Sequence, residues 1–309
     1  MDARRNRRVV YAAVLALVPM RAAAQAVDAT PAGHEVKVTV SSYTYVEPGP
    51  RISIHAAKVG GEYAGTVLLS KRRHVFAQAD VRGIVGNSTY EGRCSPWLIR
   101  PNSGSPNGYE LDLGESSPCS ESGDRDWYVE ARGLVGKDFT RRTWVLSPYS
   151  GVGFRHLSNG TGGAAGFRTD EYLYLPAGLT AHTKVGSHRL TFTLEYDHLL
   201  QGWQTTRNSK LGGGEVPATA TAPAFTIDGI TDVSFAQPGG WSARVSAKYY
   251  VTDRWSVEPY YVRWSVNASP PNDQTVSFTV NRVTAQEQMG FYEPFNVTNE
   301  FGVKLGFRF

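Results

Sequence analysis

The end of the chain alternates between apolar and polar side chains. From Val297 to Phe309, the odd positions are mostly apolar, whereas the even positions are polar, charged or glycine. A period of two places successive side chains on opposite faces of a β-strand. We therefore predict a strand here with one apolar and one charged face. The same alternation recurs upstream, in segments that begin near positions 34, 75, 127, 190 and 241.

The whole pattern predicts ten strands joined by connections of two lengths. The strands are expected at 34–46, 60–70, 74–90, 125–137, 143–157, 171–183, 188–201, 240–251, 255–266 and 296–309. Short turns are expected at 71–73, 138–142, 184–187 and 252–254, and long polar loops at 47–59, 91–124, 158–170, 202–239 and 267–295. An even strand number and alternating connection lengths are typical of bacterial outer-membrane barrels. We therefore expect an all-β fold, a closed antiparallel transmembrane β-barrel of about ten strands with short periplasmic turns and long extracellular loops.

The chain ends on Phe309, directly after the last alternating segment. This end resembles the final strand by which outer-membrane barrels are recognised for assembly. The resemblance implies that Phe309 is an assembly signal, and that the barrel-assembly machinery and outer-membrane lipid, including lipopolysaccharide, are partners. Aromatic residues near predicted strand ends suit interfacial girdles, namely Trp144, Trp203, Trp241, Trp255, Tyr260, Tyr261 and Trp264.

The first residues have the pattern of a secretory leader. Clustered arginines at positions 4–8 precede an apolar stretch, Val9–Met20, that is too short to span a bilayer as a helix. Ala24-Gln25-Ala26 then offers a small-x-small cleavage site. We expect residues 1–26 to be a signal peptide and residues 27–309 to form one barrel domain that crosses a Gram-negative outer membrane many times.

The basic isoelectric point of the whole chain is due to the arginines of the leader. Five of the 32 Lys and Arg residues, but one of the 28 acids, lie in residues 1–26. The remaining chain is close to neutral, so its charge gives no reason to expect a nucleic-acid partner.

The two cysteines, Cys94 and Cys119, fall in one predicted loop of an exported chain. Cysteines in that setting are expected to form a disulfide. Two thiols without nearby histidines supply too few ligands for a zinc site. The sequence shows no phosphate loop or nucleotide fingerprint, so we expect neither a metal nor a cofactor.

The charged faces of the predicted strands are expected to line the lumen. They carry Glu35, Lys37, Asp80, Arg82, Glu130, Arg132, Arg155, Glu195, Asp197, Arg244, Lys248, Glu258, Glu300, Lys304 and Arg308. The two signs nearly balance, whereas an ion-selective channel would carry rings of one sign. Ten strands leave little more room than the eight that side chains can fill. We expect a narrow lumen crossed by ion pairs; a small-solute channel is an alternative, and a wide porin is excluded by strand number.

One short segment contains residues that could perform chemistry. His156 and Ser158 lie two positions apart on the apolar face of the fifth predicted strand, at its outer end. Residues two apart on a strand share a face, so the imidazole could take the hydroxyl proton. Asp170 or Glu171 could orient the histidine. Spacing favours Asp170, whereas Glu171 shares the register of lipid-facing residues.

The segment His156-Leu157-Ser158-Asn159 resembles the His-x-Ser-Asn motif of the outer-membrane lipid A 3-O-deacylases. The resemblance implies Ser158 as nucleophile, His156 as general base, and an acid about a dozen residues later. It covers about fifteen residues, and that family has eight strands with the motif near the C-terminus. The non-catalytic alternative is that both residues are polar because they lie at the level where the lipid headgroups begin.

Ten-stranded omptin proteases offer a second enzyme comparison, through their Asp-x-His pair. Asp197 and His198 are adjacent here, so their side chains point to opposite faces. This resemblance is superficial. The sequence favours a surface structural or interaction protein with a narrow, charge-filled lumen and an unknown external ligand, with a deacylase-like esterase or a small-solute channel as alternatives.

Overall fold

A computed structural model describes residues 30–160, 167–210 and 213–309 of the chain. These residues are mostly in β-strands, with one 3-10 turn at Asn208–Lys210. None of the described residues belongs to a helix long and apolar enough to cross a membrane. The predicted leader, residues 1–26, and the loop residues 161–166 lie outside the described ranges.

Eighteen strands follow one another along the described chain. The first nine are β1 (Gly33–Glu47), β2 (Ile52–Ser70), β3 (Val75–Cys94), β4 (Trp97–Pro101), β5 (Tyr109–Leu113), β6 (Ser117–Lys137), β7 (Phe139–Thr140), β8 (Trp144–Gly160) and β9 (Phe167–Val185). The other nine are β10 (His188–Thr206), β11 (Gly214–Val216), β12 (Phe225–Ile230), β13 (Val233–Gln237), β14 (Gly240–Tyr250), β15 (Trp255–Val266), β16 (Asn272–Val280), β17 (Val283–Phe291) and β18 (Asn296–Arg308). Strands β1, β2, β3, β6, β8, β9, β10, β14, β15 and β18 form the barrel wall.

The barrel is closed because its last strand pairs with its first. β18 runs antiparallel to β1, from Arg308 opposite Glu35 to Val297 opposite Val46. β9 pairs with both β8 and β10, which completes the circle. The prediction of a closed antiparallel barrel of ten strands is confirmed.

Both termini of the barrel lie at one end, here called the terminal end, and the opposite end is called the head end. Turns at the terminal end are short, as predicted. At the head end, β2 begins at Ile52, so the predicted loop at 47–59 is wrong and residues 48–51 form a tight turn. The outward residues of this stretch, Ser53 and His55, are polar because they lie beyond the apolar belt, which hides the alternation.

An apolar belt surrounds the barrel wall. Its exposed side chains include Val36, Val38, Val40, Leu175, Leu194, Phe301, Val303 and Leu305. Exposed Trp144 and Trp255 border the belt near the terminal end, and Trp203 and Trp241 near the head end. A continuous apolar surface of this kind suits lipid rather than water. β3, β6 and β9 have 20, 21 and 19 residues, whereas a tilted strand crosses a bilayer with about 10, so the wall projects beyond the belt at the head end.

Three connections at the head end fold together into a second layer, here called the head. The β4–β5 hairpin packs against the four-stranded sheet β11-β12-β16-β17. Their shared core consists of Ile99, Leu111, Phe225, Ile227, Val276, Phe278, Val280 and Ala285. The predicted Cys94–Cys119 disulfide is present and joins β3 to β6 beneath the hairpin. The loops predicted at 91–124, 202–239 and 267–295 therefore contain folded strands.

Candidate functional site

The charged face of each barrel strand points into the lumen. At the terminal end, the Lys37 ammonium lies 2.7 Å from Glu62 and 3.1 Å from Glu258. Lys304 contacts Glu62 at 2.6 Å, and Lys248 contacts Glu35 at 2.6 Å. These side chains come from five strands, so this lower network ties one half of the wall together. Arg308 also lines this end of the lumen, where it donates to the Ala32 carbonyl at 2.6 Å.

A second group of ion pairs lies farther along the lumen and is called the middle network. Arg132 contacts Asp80 and Glu195, each at 2.7 Å. Arg244 contacts Asp197 at 2.7 Å and also bonds the Glu130 carboxylate. These pairs connect β3, β6, β10 and β14, and so reach across the lumen rather than along one wall.

An aromatic layer closes the lumen above these networks. It consists of Ile84, Tyr128, Leu157, Tyr172, Tyr174, Leu199, Tyr260, Val262, Trp264 and Val266, all buried. The Trp264 ring on β15 lies 5.1 Å from Tyr174 on β9. Tyr128 on β6 donates a 2.6 Å hydrogen bond to Glu300 on the opposite wall. Side chains from separate strands of the wall therefore meet inside the lumen at this level.

Two residues of this layer correct the sequence interpretation. Tyr260 and Trp264 were predicted to lie in the lipid-facing girdles, but both are buried in the lumen. Each shares the parity of Glu258, so the alternation along β15 was the better guide. Trp144, Trp203, Trp241 and Trp255 are exposed on the outer surface, as predicted.

Arg155 and Arg82 lie among the side chains of the aromatic layer, and Lys58 lies beside it toward the head end. The Arg155 guanidinium lies 3.9 Å from the Tyr128 ring and 5.5 Å from Trp264. Arg82 in the same region bonds Glu300 and the Tyr260 hydroxyl. Lys58 pairs with Asp126 at 2.6 Å and stacks 3.5 Å over the Tyr43 ring. Stacking on aromatic faces offsets part of the cost of burying these charges.

A cavity of about 200 Å³ lies between the terminal end and the aromatic layer. It is lined by the lower network and by hydroxyl-bearing residues such as Thr66, Thr180 and Thr193. Thr30, ahead of β1, reaches across its mouth and bonds Asp138 through both its backbone nitrogen and its hydroxyl. The cavity is thus a polar vestibule on the terminal side of the aromatic layer.

A third polar group lies beyond the layer, at the head end. The Arg168 guanidinium contacts Glu47 at 2.9 Å and Glu293 at 3.7 Å. The Tyr45 hydroxyl bonds both carboxyl groups, at 2.8 and 3.1 Å. Burial raises the pKa of Glu293 to about 7, and the nearby Glu47 carboxylate adds to the rise while Arg168 opposes it.

The predicted catalytic residues divide between the two faces of the wall. His156 and Glu171 lie opposite each other on β8 and β9, and both point outward. The His156 Nδ1 atom lies 3.1 Å from the Glu171 carboxylate, and its ring packs 5.4 Å from Trp127. Ser158 is half-buried on the same outward row. Asp170, favoured by spacing, is wrong for this role because it is buried on the lumen side.

Sequence reasoning missed several lumen residues. Lys58 lay in a stretch predicted to be a loop, and so did Arg168. Glu62 follows two glycines, Gly60 and Gly61, which interrupt the apolar alternation. Once the ends of β2 and β9 are known, the alternation along these strands places all three side chains on the lumen face.

No protein-family model and no curated protein sequence matches the chain. Among solved structures it is similar to the outer membrane protease OmpT from Escherichia coli, at 13% identity and a TM-score of 0.44 over 93% of this chain and 100% of that one. It is also similar to the COG4313 outer membrane channel from Pseudomonas putida F1, at 11% identity and a TM-score of 0.37 over 91% and 97%. The translocator domain of the autotransporter NalP from Neisseria meningitidis gives 11% and 0.35 over 92% and 91%. This likeness assigns no activity to the chain.

The middle network predicts a large effect of removing Arg244. The change Arg244→Ala leaves Glu130 and Asp197 buried without their main cation, so we expect the free energy of unfolding to fall by about 3–5 kcal/mol. Urea unfolding followed by tryptophan fluorescence measures it. Arg100→Ala, which removes an exposed pair with Asp112, is the control and should change stability by less than about 1 kcal/mol. Equal effects of the two changes would contradict a buried network.

The raised pKa of Glu293 predicts a pH dependence at the head end. The folded pKa of about 7 lies above the ordinary value of 4.5, so folding favours the neutral carboxyl group. We expect the segment around Glu293 to lose stability as the pH rises through 7, and to gain it as the pH falls toward 4.5. Hydrogen exchange, corrected for the intrinsic effect of pH, should show this loss between about pH 5 and pH 7, with little further change above pH 7. Glu293→Gln should abolish it, whereas Glu287→Gln should not.

Proposed function

We propose that this outer-membrane barrel is a surface interaction protein that presents a folded head and does not conduct. The observation that carries the proposal is the aromatic layer, in which Tyr128, Tyr174 and Trp264 meet across the lumen. A barrel whose interior is filled with side chains serves as a rigid support rather than a passage.

The head supplies the surface for interaction. The outer face of its four-stranded sheet carries hydroxyl and amide side chains, namely Thr226, Thr275, Ser277, Thr279, Thr284, Gln286 and Gln288. Several of them bond one another, as Thr279 does with Thr284 at 2.7 Å and Gln286 with Ser277 at 3.3 Å. A rigid scaffold that positions exposed connections is a common way to build a binding surface.

The outer surface of the barrel indicates its partners in the membrane, namely lipid and the barrel-assembly machinery. The apolar belt would contact outer-membrane lipid, with lipopolysaccharide in the outer leaflet. Phe309 is 63% exposed at the end of β18. Because its ring is not needed in a core, it is free to act as the recognition signal for the barrel-assembly machinery.

Two measurements test the sealed support and its external head. Planar-bilayer recordings of the purified protein should give no resolvable conductance steps, because the aromatic layer blocks the lumen. Both native cysteines are in the disulfide, so Gln286→Cys should react with an impermeant maleimide on intact cells, while Arg72→Cys at the terminal end should not. Nanosiemens-scale steps, or labelling of the terminal turn alone, would contradict the proposal.

A second candidate function rests on the outward-facing hydrogen bond between His156 and Glu171. The carboxylate contacts Nδ1 and leaves Nε2 available, which is the arrangement of a general base held by an acid. Ser158 follows on the same row, beside the head-end border of the belt. Its hydroxyl would attack an ester carbonyl of an outer-leaflet lipid and pass its proton to His156. The leaving alcohol would take that proton, and water would then release the acyl group.

Mass spectrometry of lipid A tests this second candidate. Cells that produce the wild type should lose one ester-linked acyl chain from lipid A, whereas His156→Ala and Ser158→Ala should lose none. Glu171→Gln should slow the loss by about 10-fold or more, because it weakens the orientation of His156. Ser150→Ala, on the same row of β8 but deeper in the belt, is the control and should behave as wild type. Unchanged acylation in wild-type cells would rule out the esterase.

A further inference from the structure

The lumen holds a group of unpartnered oxygen atoms directly beyond the aromatic layer, at the head end. They belong to Glu47, Asp126, Asn159 and Gln204, and each is buried without a hydrogen-bond partner. These atoms are Oε2, Oδ2, Oδ1 and Oε1 respectively, and all four can only accept hydrogen bonds. This set, together with Asp170 and Glu293, is here called the acceptor chamber.

Strand register places these side chains together. Asp126 on β6 lies opposite Asn159 on β8, and Asn159 lies opposite Arg168 on β9. Asp170 on β9 lies opposite Gln204 on β10. Each of Asp126, Asn159 and Asp170 is two residues beyond a member of the aromatic layer, so all three face the lumen at the next level. Glu47 and Glu293 enter the same region through their shared contacts with Arg168 and Tyr45.

Two amide side chains provide evidence for the chamber that does not rest on its acidic residues. The Asn159 side chain is 5% exposed and Gln204 is fully buried, yet neither carbonyl oxygen has a partner. Leaving a buried polar atom unpaired costs about 1–3 kcal/mol. Several such costs at one level of the lumen indicate a missing donor. The unpartnered donors of this region do not satisfy the four acceptors, because each is itself buried without a partner. They are Arg168 Nε, Tyr43 Oη and, in the layer below, Arg155 Nε and Nη2 and Trp264 Nε1.

The charges of the chamber point to a cation. Among the described residues it holds four carboxyl groups, from Glu47, Asp126, Asp170 and Glu293, and two cations, Lys58 and Arg168. Counting Arg155 from the layer below still leaves one carboxyl group without a cation, which agrees with the raised pKa of Glu293. In the described part of the chain, no three His, Cys, Asp or Glu side chains are grouped so as to hold a metal ion. An ammonium group, which carries three N–H donors and one positive charge, complements both the charge and the acceptors.

We infer that the acceptor chamber is a binding site for a small aliphatic amine, held through its ammonium group by Asp170, Asn159 and Gln204. The aromatic layer forms the floor of the site. The segment that carries Glu293 forms its cover, held by paired hydrogen bonds between Glu293 and Ser269. The amine would enter from the head end, where the Arg168 side chain is partly exposed. The site is separate from the outward-facing row of His156 and does not depend on either proposed function.

Isothermal titration of the folded full-length protein in detergent at pH 8 tests the site. We expect putrescine to bind the wild type, and 1,4-butanediol, its neutral analogue, not to bind. Asp170→Asn should weaken the binding of putrescine by about 10-fold or more, since one charge-assisted hydrogen bond is lost. Asn159→Ala should weaken it by a smaller factor. Glu215→Gln, which removes an exposed acid of the head, should change it by less than about twofold.

Three results would overturn the inference. The first is an absence of putrescine binding, which would mean that ordered water alone fills the chamber. The second is an equal affinity in wild type, Asp170→Asn and Glu215→Gln, which would place the amine elsewhere on the protein. The third is calcium binding that is lost in Asp170→Asn while putrescine does not bind, which would assign the site to a metal ion. Far-ultraviolet circular dichroism of each variant separates loss of the site from loss of the fold.

Discussion

The pairing of β1 with β18 is the constraint on which the rest of the molecule depends. A backbone amide or carbonyl in hydrocarbon has no water to bond, so every strand in the belt needs a neighbour on each side. The continuous register from Glu35–Arg308 to Val46–Val297 removes the last free edge. Once ten strands are closed in this way, their inward side chains are confined to a narrow space and must satisfy one another.

The contents of the lumen follow from that confinement. Ion pairs buried in this way add little net stability compared with apolar packing, but each is costly to break. They therefore fix which strands face each other across the lumen more than they strengthen the barrel. The aromatic layer also depends on small residues beside large ones. A Cβ atom on Gly153 would lie 2.2 Å from the Tyr174 ring, so only glycine lets that ring reach the centre.

The sequence was informative wherever one face of a strand met lipid and the other met the lumen. Alternation along β1, β10, β14 and β18 predicted both faces correctly. It failed where strands leave the belt, because Ser53 and His55 face solvent and carry no apolar signal. Parity, rather than spacing, identified Glu171 as the acid that faces His156, whereas Asp170 faces the lumen. The head was not predicted, because its core joins segments such as Leu111 and Glu287 that are 176 residues apart.

That separation has a consequence for how the molecule matures. The head draws its core from three connections, and only a finished cylinder brings those connections side by side. The head is therefore expected to form last, after the barrel wall has closed. A correctly folded head would then indicate that the barrel wall is complete. In a truncated barrel, the three connections could not pack against one another and would stay exposed. Transplanting the head to another scaffold would require three attachment points at matching spacing, rather than a single fusion.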